Sequence, residues 1–437
     1  MPVMRAAQIA RPGVHRAASV HVEAIRIQNL RAFSDASIDF RRDGDAAVGA
    51  PLANVHVLLG GNGAGKSSVL RAIALGVLAP VFERDATLER TGWVRRPPGN
   101  GAGSACVAED TARIDIDLRL HGQDLLACAG RPLQALPIQA RIERVGDMEL
   151  LDWLRPQQAE LGRDLRLIQQ VREPSAFFLV AYGASRWVDH AQAAADAAPV
   201  PVGRQRRQRV ASLFDNRGLL PLAAWLPAYA AQNPGRHRQV VTLMNRLLPD
   251  GCRMATTASQ EPPLFEIDGA QLPFSGLSDG YQAYVGWIGD LLHQLCLGAP
   301  SGRRLADNQG VVLVDEIDLH LHPAWQRSLL STLSQALPKL QFIVTTHSPL
   351  VVGALQPHNL IVLDRTDTLG TRCRRLPERV HGRSADEMLL SPYFGLATTR
   401  PTAVGARLER LRLASQHGDA AAAVAYLRLL ASGEGLA

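Results

Sequence analysis

Gly60-Gly61-Asn62-Gly63-Ala64-Gly65-Lys66-Ser67 spells GxxxxGK[ST] in full, and Ser68 follows it. Glycines at this spacing let successive backbone N–H groups curl around phosphate oxygens, and the helix that follows adds the positive end of its dipole. Lys66 would reach the β- and γ-phosphates of a nucleotide, and the Ser67 hydroxyl would coordinate Mg²⁺. Lys66 is one of only two lysines, with Lys339, among 47 basic residues, so a chance match is a poor account of it. A second candidate lies at 311–316, where an apolar run ends in Asp315-Glu316. Asp315 is placed to hold Mg²⁺ directly or through water, and Glu316 to polarise an attacking water. On its own a strand followed by two carboxylates reads as a helix N-cap; after a phosphate-binding loop the chemical reading gains weight. A third buried run, 341–346, ends in His347, which can donate a hydrogen bond to a γ-phosphate or to the lytic water. By itself that histidine reads as a neighbour of a helix cap.

The elements that must position these residues follow from the hydrophobic pattern. Alternation at 22–29 and 36–40 predicts two strands that return beside each other, and 54–59 is a short buried strand feeding the glycine-rich loop. A helix is expected from about Lys66 to Leu78. Residues 82–104, with Pro97, Pro98, Gly99, Gly101 and Gly103, read as a loop or excursion. Strands are expected at 112–120, 138–144 and 176–182. Helical patterns around 221–231 and 239–248 then mark an inserted helical lobe. From 264 onward the order is strand, long helix (278–297), strand (311–314), helix (323–336) and strands (341–345, 360–363). That alternation predicts an α/β fold with a mixed, mostly parallel sheet flanked by helices. Apolar residues at helical spacing on both sides of His417-Gly418-Asp419 predict a C-terminal helical hairpin. The expected organisation is a mobile extension over 1–20, a first lobe with the glycine-rich loop over 21–184, and the inserted helical lobe over 185–262. Residues 263–380 complete the core, and 381–437 form the helical cap.

Composition narrows the class of protein. Hydrophobic residues are 46% and charged residues 20% of the 437, and no apolar run approaches the ~20 residues of a membrane helix. The first twenty residues carry arginines but no apolar core, so no secretory signal is expected. The net charge of +6 is weak evidence for nucleic acid, because the arginine excess also fits a GC-rich coding sequence. The densest basic cluster, Arg204, Arg206, Arg207 and Arg209, reads as a solvated loop, with phosphate contact as the alternative. Five dispersed cysteines form neither a CxxC nor a Cys/His cluster, and the expected compartment is a reducing cytoplasm.

Leu277-Ser278-Asp279-Gly280-Tyr281-Gln282, at a helix start some thirty residues before the acidic strand, resembles the LSGGQ signature of the ABC ATPase superfamily. Ser278 is also a plain N-cap, and both readings are compatible. The order of glycine loop, signature, acidic strand and histidine strand is that of the superfamily. The resemblance implies Mg-ATP as the ligand and a homodimer or higher even oligomer closed around ATP, with Ser278 and Gly280 acting on the nucleotide held by another copy. Asn29-Leu30-Arg31-Ala32-Phe33 resembles the opening of the RecF/SMC/OLD-like branch, which makes Arg31 a nucleotide-binding candidate. The string from Asp315 to Gln326, DEIDLHLHPAWQ, resembles that of bacterial AAA-family ATPases grouped with OLD-type enzymes, as does Gly382–Asp386 leading to Phe394-Gly395-Leu396. Such proteins include ATPase subunits of Septu-, PARIS- and retron-type phage-defence systems, in which a separate nuclease cuts. Ala181–Arg186 resembles a further family segment. Two departures stand out. His322 occupies the position where an ABC protein usually has its D-loop aspartate, with Asp318 as a partial substitute. No Q-loop glutamine is evident; Ser185-Arg186, after a buried strand, is the candidate for that position, and is equally readable as a salt-bridged arginine at a strand end.

No heptad run, zinc-hook CxxC, or HNH or TOPRIM segment is evident, so any nuclease is expected on another polypeptide. The leading reading is an ATPase that dimerises on ATP and controls a partner nuclease, with DNA or RNA as a further partner and no membrane. The alternative is a RecF-like nucleotide-gated clamp for DNA repair. A transporter's energising subunit would need a membrane partner, and the DEIDLHLHP string argues against it by resemblance.

Overall fold

The structure is a computed structural model that describes residues 19–41, 51–82, 92–96, 110–121, 127–128, 131–132, 135–154, 177–189, 202–215, 217–255, 262–299, 302–366 and 370–432. Residues 1–18 of the expected extension and most of the proline- and glycine-rich excursion lie outside them. Two compact units are present, Met1–His381 and Gly382–Ala437.

The first unit is built on an eleven-stranded sheet. In chain order its strands are β1 (Ser19–Leu30), β2 (Phe33–Asp39), β3 (Val55–Leu59), β4 (Thr111–His121), β5 (Ala135–Val145), β6 (Met148–Leu154), β7 (Leu179–Tyr182), β8 (Gly310–Val314), β9 (Leu340–Thr345), β10 (Leu360–Thr366) and β11 (Gly370–Arg374). In space they run β6-β5-β4-β1-β2-β11-β10-β3-β9-β8-β7. The sheet is mixed. β10, β3, β9, β8 and β7 are mutually parallel, whereas β11 and the five strands beyond it form an antiparallel array. Sequence pattern separates the halves. β3, β8 and β9 are buried at every position, as strands covered on both faces must be. β2 and β5 alternate buried and open residues, the mark of a strand with one wet face. β1 buries Val20, Val22, Ile25 and Ile27, and its phase changes at a bulge between Val22 and Ala24 that keeps both apolar sets on the core face.

Helix α1 (Lys66–Phe82) is buried on nearly all sides from Val69 to Ala79 and touches strands of both halves. Its Gly76 allows the close approach, since a Cβ there would stand 3.1 Å from Ile116 Cγ2. Helix α2 (Asp279–Gly298) and helix α3 (Pro323–Ala336) follow, α3 with the predicted bounds. A three-stranded sheet, Cys252–Met254, Leu264–Ile267 and Ala270–Pro273, intervenes before α2; sequence patterning foresees only its middle strand.

The helical stretch consists of Val202–Gln208, Ala211–Phe214, Leu222–Gln232 and Pro234–Leu247. It joins the sheet through β7, where Ala181 N–H donates to Arg209 O at 2.8 Å. The expectation of a solvated arginine loop here is corrected for Arg206 and Arg209, whereas Arg207 is exposed. Arg206 and Arg209 are each only 2% exposed, and the Arg209 guanidinium lies 4.8 Å from the Phe178 ring centroid. Burial pushes Arg209 down to about 9. These two groups are packed inside the fold and do not face a phosphate surface. Among the described residues no helix is long and apolar enough to cross a membrane.

The second unit holds a short helix, Ala385–Leu389, and a hairpin of Thr402–Gln416 and Ala420–Ser432. Ser384 and Glu387 form a capping box on the first, and Gly418, at φ 94°, makes the break between the hairpin helices.

Candidate active site

β3, β9 and β8 are adjacent and parallel, with Val57 opposite Val344 and Val344 opposite Val314. Their carboxyl ends therefore emerge side by side, and three segments far apart in sequence meet there: the glycine loop after β3, His347 after β9 and Asp315-Glu316 after β8. This is where α/β sheets bind ligands. The resulting cleft, about 370 Å³, is lined by Asn62, Gly63, Gly65, Lys66, Ser67 and Ser68 together with Arg31, Asp315, Glu316 and His347.

The loop has the backbone its glycines permit. Gly60, Gly63 and Gly65 adopt φ of 148°, 76° and 99°. At Gly60 a Cβ would sit 2.4 Å from Leu363 O, and at Gly65 it would sit 2.7 Å from the Phe33 ring. Only glycine fits either place. Lys66 is 7% exposed, and its Nζ donates to Gly60 O at 2.8 Å and to Gly61 O at 3.2 Å. Burial draws its ammonium below the ordinary value, opposed by the Asp315 and Glu316 carboxylates. Gly60, Gly61 and Ala64 are not among the lining residues: the two glycine carbonyls accept from Lys66, and Ala64 is packed in the core.

The acidic end of β8 is fixed from two directions. Thr345, fully buried, donates its hydroxyl to Asp315 Oδ1 at 2.6 Å and accepts from Glu316 N–H at 2.7 Å. Arg186, which follows β7, donates to the carbonyls of Asp315 and, at 2.8 Å, Glu316. Burial pushes its guanidinium down to about 10, still charged at neutral pH. Arg186 is thus a donor to the main chain, and it forms no ion pair among the described residues. Glu316 itself is left-handed, φ 48°, in a non-glycine residue. Neither Thr345 nor the grip of Arg186 is visible from sequence spacing. The threonine was detectable only as a polar residue at the end of an otherwise apolar strand.

Arg31 lines the cleft with its guanidinium 4.0 Å from the Trp93 ring centroid and its Nε donating to Gly92 O at 3.2 Å. Ser278 and Gly280 are not among the lining residues. Ser278 caps α2 without a side-chain hydrogen bond and is exposed, and Gly280 approaches the turn after Glu316, where a Cβ would stand 2.7 Å from His320 O. At the D-loop departure, His322 N-caps α3 through Nδ1, and Asp318, the partial substitute, accepts from Thr346 Oγ1 at 2.5 Å. Gln326 ties α3 back to the histidine strand, its Oε1 accepting from Ser348 Oγ at 2.6 Å.

Fold and cleft together define a mixed α/β sheet that carries a P-loop motif at the carboxyl ends of its parallel strands. Parts of the chain are similar to known proteins. Residues 262–353 match the family model described as "AAA domain, putative AbiEii toxin, Type IV TA system", and residues 24–125 match one described as "AAA domain". The chain is homologous to Septu protein PtuA of Bacillus mycoides, 26% identical over 381 residues, covering 87% of this chain and 45% of that protein. It is also homologous to the retron Vc95 probable ATPase of Vibrio cholerae, 34% identical over 100 residues, covering 23% and 20%. The matched region therefore spans less than half of these relatives. The SMC head domain from Thermotoga maritima aligns over 81% of this chain and 98% of its own, at 16% identity and a TM-score of 0.41.

Proposed function

We propose that the chain binds ATP with Mg²⁺ in this cleft and hydrolyses it to ADP and phosphate. In this reading ATP closes a dimer, or a higher even oligomer, and the cycle controls a separate nuclease subunit of HNH or TOPRIM type acting on DNA or RNA. The names of the Septu and retron relatives support a setting in phage defence. The observation that carries the reading is the single cleft holding the glycine loop, both carboxylates and His347.

The residues suit the chemistry. Ser67 and Asp315 offer a hydroxyl and a carboxylate in one cleft, a hard-oxygen pair of the kind Mg²⁺ takes alongside phosphate. When bound, the ion neutralises charge on the phosphate oxygens. Lys66 exchanges its two carbonyl partners for phosphate oxygens, and the loop N–H groups hold the remainder. Glu316 takes up the proton of the attacking water as general base. His347, exposed at the cleft, donates to the terminal phosphate. Ser278 is exposed and outside the cleft, which supports its acting on nucleotide held by a second copy.

ATP turnover and solution mass of wild type and Glu316→Gln, each with and without Mg-ATP, test this. The variant is expected to lose ~10²- to 10⁴-fold in turnover and to accumulate an ATP-dependent larger species. Full turnover in the variant refutes the role of Glu316, and a mass indifferent to nucleotide refutes the dimer.

A further inference from the structure

The main chain around Glu316 is held at every polar group that flanks its Cα. Its N–H is taken by Thr345 Oγ1 at 2.7 Å, and its C=O by Arg186 Nη2 at 2.8 Å. The preceding carbonyl, of Asp315, accepts from Nη1 of the same guanidinium. Nη1 also donates to Gly183 O at 3.3 Å, so the arginine is anchored to the segment leaving β7. A planar guanidinium can grip two successive carbonyls at once; an ammonium on a flexible stem cannot reproduce that fork. The strained conformation that results, φ 48° in a glutamate, persists only where the surroundings impose it.

Arg186 does not line the cleft that Glu316 faces. It opens instead onto a second cleft of about 360 Å³, shared with Trp187, His320 and the first turn of α2 at Asp279 and Gln282. One buried side chain thus bonds the turn carrying Glu316 and lines the cleft at the start of the signature-like helix.

We propose that Arg186 is a positioning residue for Glu316: by gripping the Asp315 and Glu316 carbonyls it holds the left-handed turn that aims the Glu316 carboxylate into the nucleotide cleft. The inference deepens the hydrolysis reading and rests on it. It makes Arg186 a determinant of turnover rather than of nucleotide affinity, because Lys66, Ser67 and the loop N–H groups are untouched by it.

The test uses the full chain with Arg186→Lys, Arg186→Met and Arg186→Ala. Steady-state ATPase kinetics, binding of a fluorescent ATP analogue and thermal unfolding are measured on each. Arg186→Lys and Arg186→Met should lose on the order of 100-fold in kcat, the scale of a catalytic group displaced by about 1 Å, while KM and analogue affinity stay near wild type. Millimolar methylguanidinium should restore part of the kcat of Arg186→Ala. Wild-type turnover in Arg186→Lys overturns the proposal. So does a parallel loss of analogue affinity and thermal stability with no rescue, which would leave the arginine a purely structural role. If wild type itself hydrolyses nothing, the hydrolysis reading fails and takes this one with it, and the wild-type assay alone identifies that outcome.

Discussion

Thr345→Val exchanges the hydroxyl between the two acidic residues for a methyl of similar size. The wild-type oxygen donates to Asp315 Oδ1 at 2.6 Å and accepts from Glu316 N–H at 2.7 Å, and the side chain is fully buried. A hydrogen bond to an ionised group contributes ~1.5–3 kcal/mol, and a buried N–H left without a partner costs ~1–3 kcal/mol. The two effects share one oxygen, so the expected loss of unfolding free energy is about 3–4 kcal/mol rather than the upper sum. Thr345→Ser keeps the oxygen and deletes one methyl group, a loss of ~1 kcal/mol. Denaturant unfolding followed by tryptophan fluorescence should therefore rank wild type above serine above valine. ATP turnover should follow the same order, with serine near wild type and valine lower by on the order of 100-fold as the Glu316 turn loses its N–H anchor. Valine as stable and as active as wild type would refute the reasoning. Serine failing as badly as valine would refute it too, since that would assign the effect to packing rather than to the hydroxyl.

Lys66→Ala should abolish ATP binding, measured by equilibrium titration with a labelled nucleotide, because the phosphates lose the cleft's main cation; tight binding by this variant would remove Lys66 from the phosphate site. Asp290 predicts a pH dependence of stability. Burial raises it to about 6, opposed in part by the Tyr182 hydroxyl donating to Oδ2 at 2.8 Å. Between about pH 4, where the unfolded chain has lost this proton, and about pH 6, the native state still holds it, so this group's contribution to stability falls as pH rises. Asp290→Asn should lose that part of the slope, seen as a wild-type-minus-variant difference in denaturation midpoint that shifts across the window. A constant difference would show that Asp290 does not titrate there.

Much of the candidate site was legible in the sequence because its parts are short, contiguous and chemically distinctive. The loop from Gly60 to Ser68 carries its own backbone instructions, and the uniformly apolar runs before Asp315 and His347 announce strands buried on both faces. Helix α3 was readable from His322-Pro323 at its start and the apolar spacing that follows. What sequence alone does not contain is partnership. That 311–314 lies beside 341–345, and 341–345 beside 55–59, follows from strand order, and this order converts three separate motifs into one cleft. Six of the eleven strands lie outside the parallel set; alternation marked several as strands without saying what each pairs with. The bridge from Thr345 spans about thirty residues and the grip of Arg186 about 130, distances at which spacing carries no signal. Charge pattern misread Arg206 and Arg209 for the same reason, since Phe178, which covers Arg209, comes from another element. Local backbone preference and side-chain chemistry travel with the chain. Register, burial and the hydrogen bonds that fix Glu316 exist only once distant strands have paired.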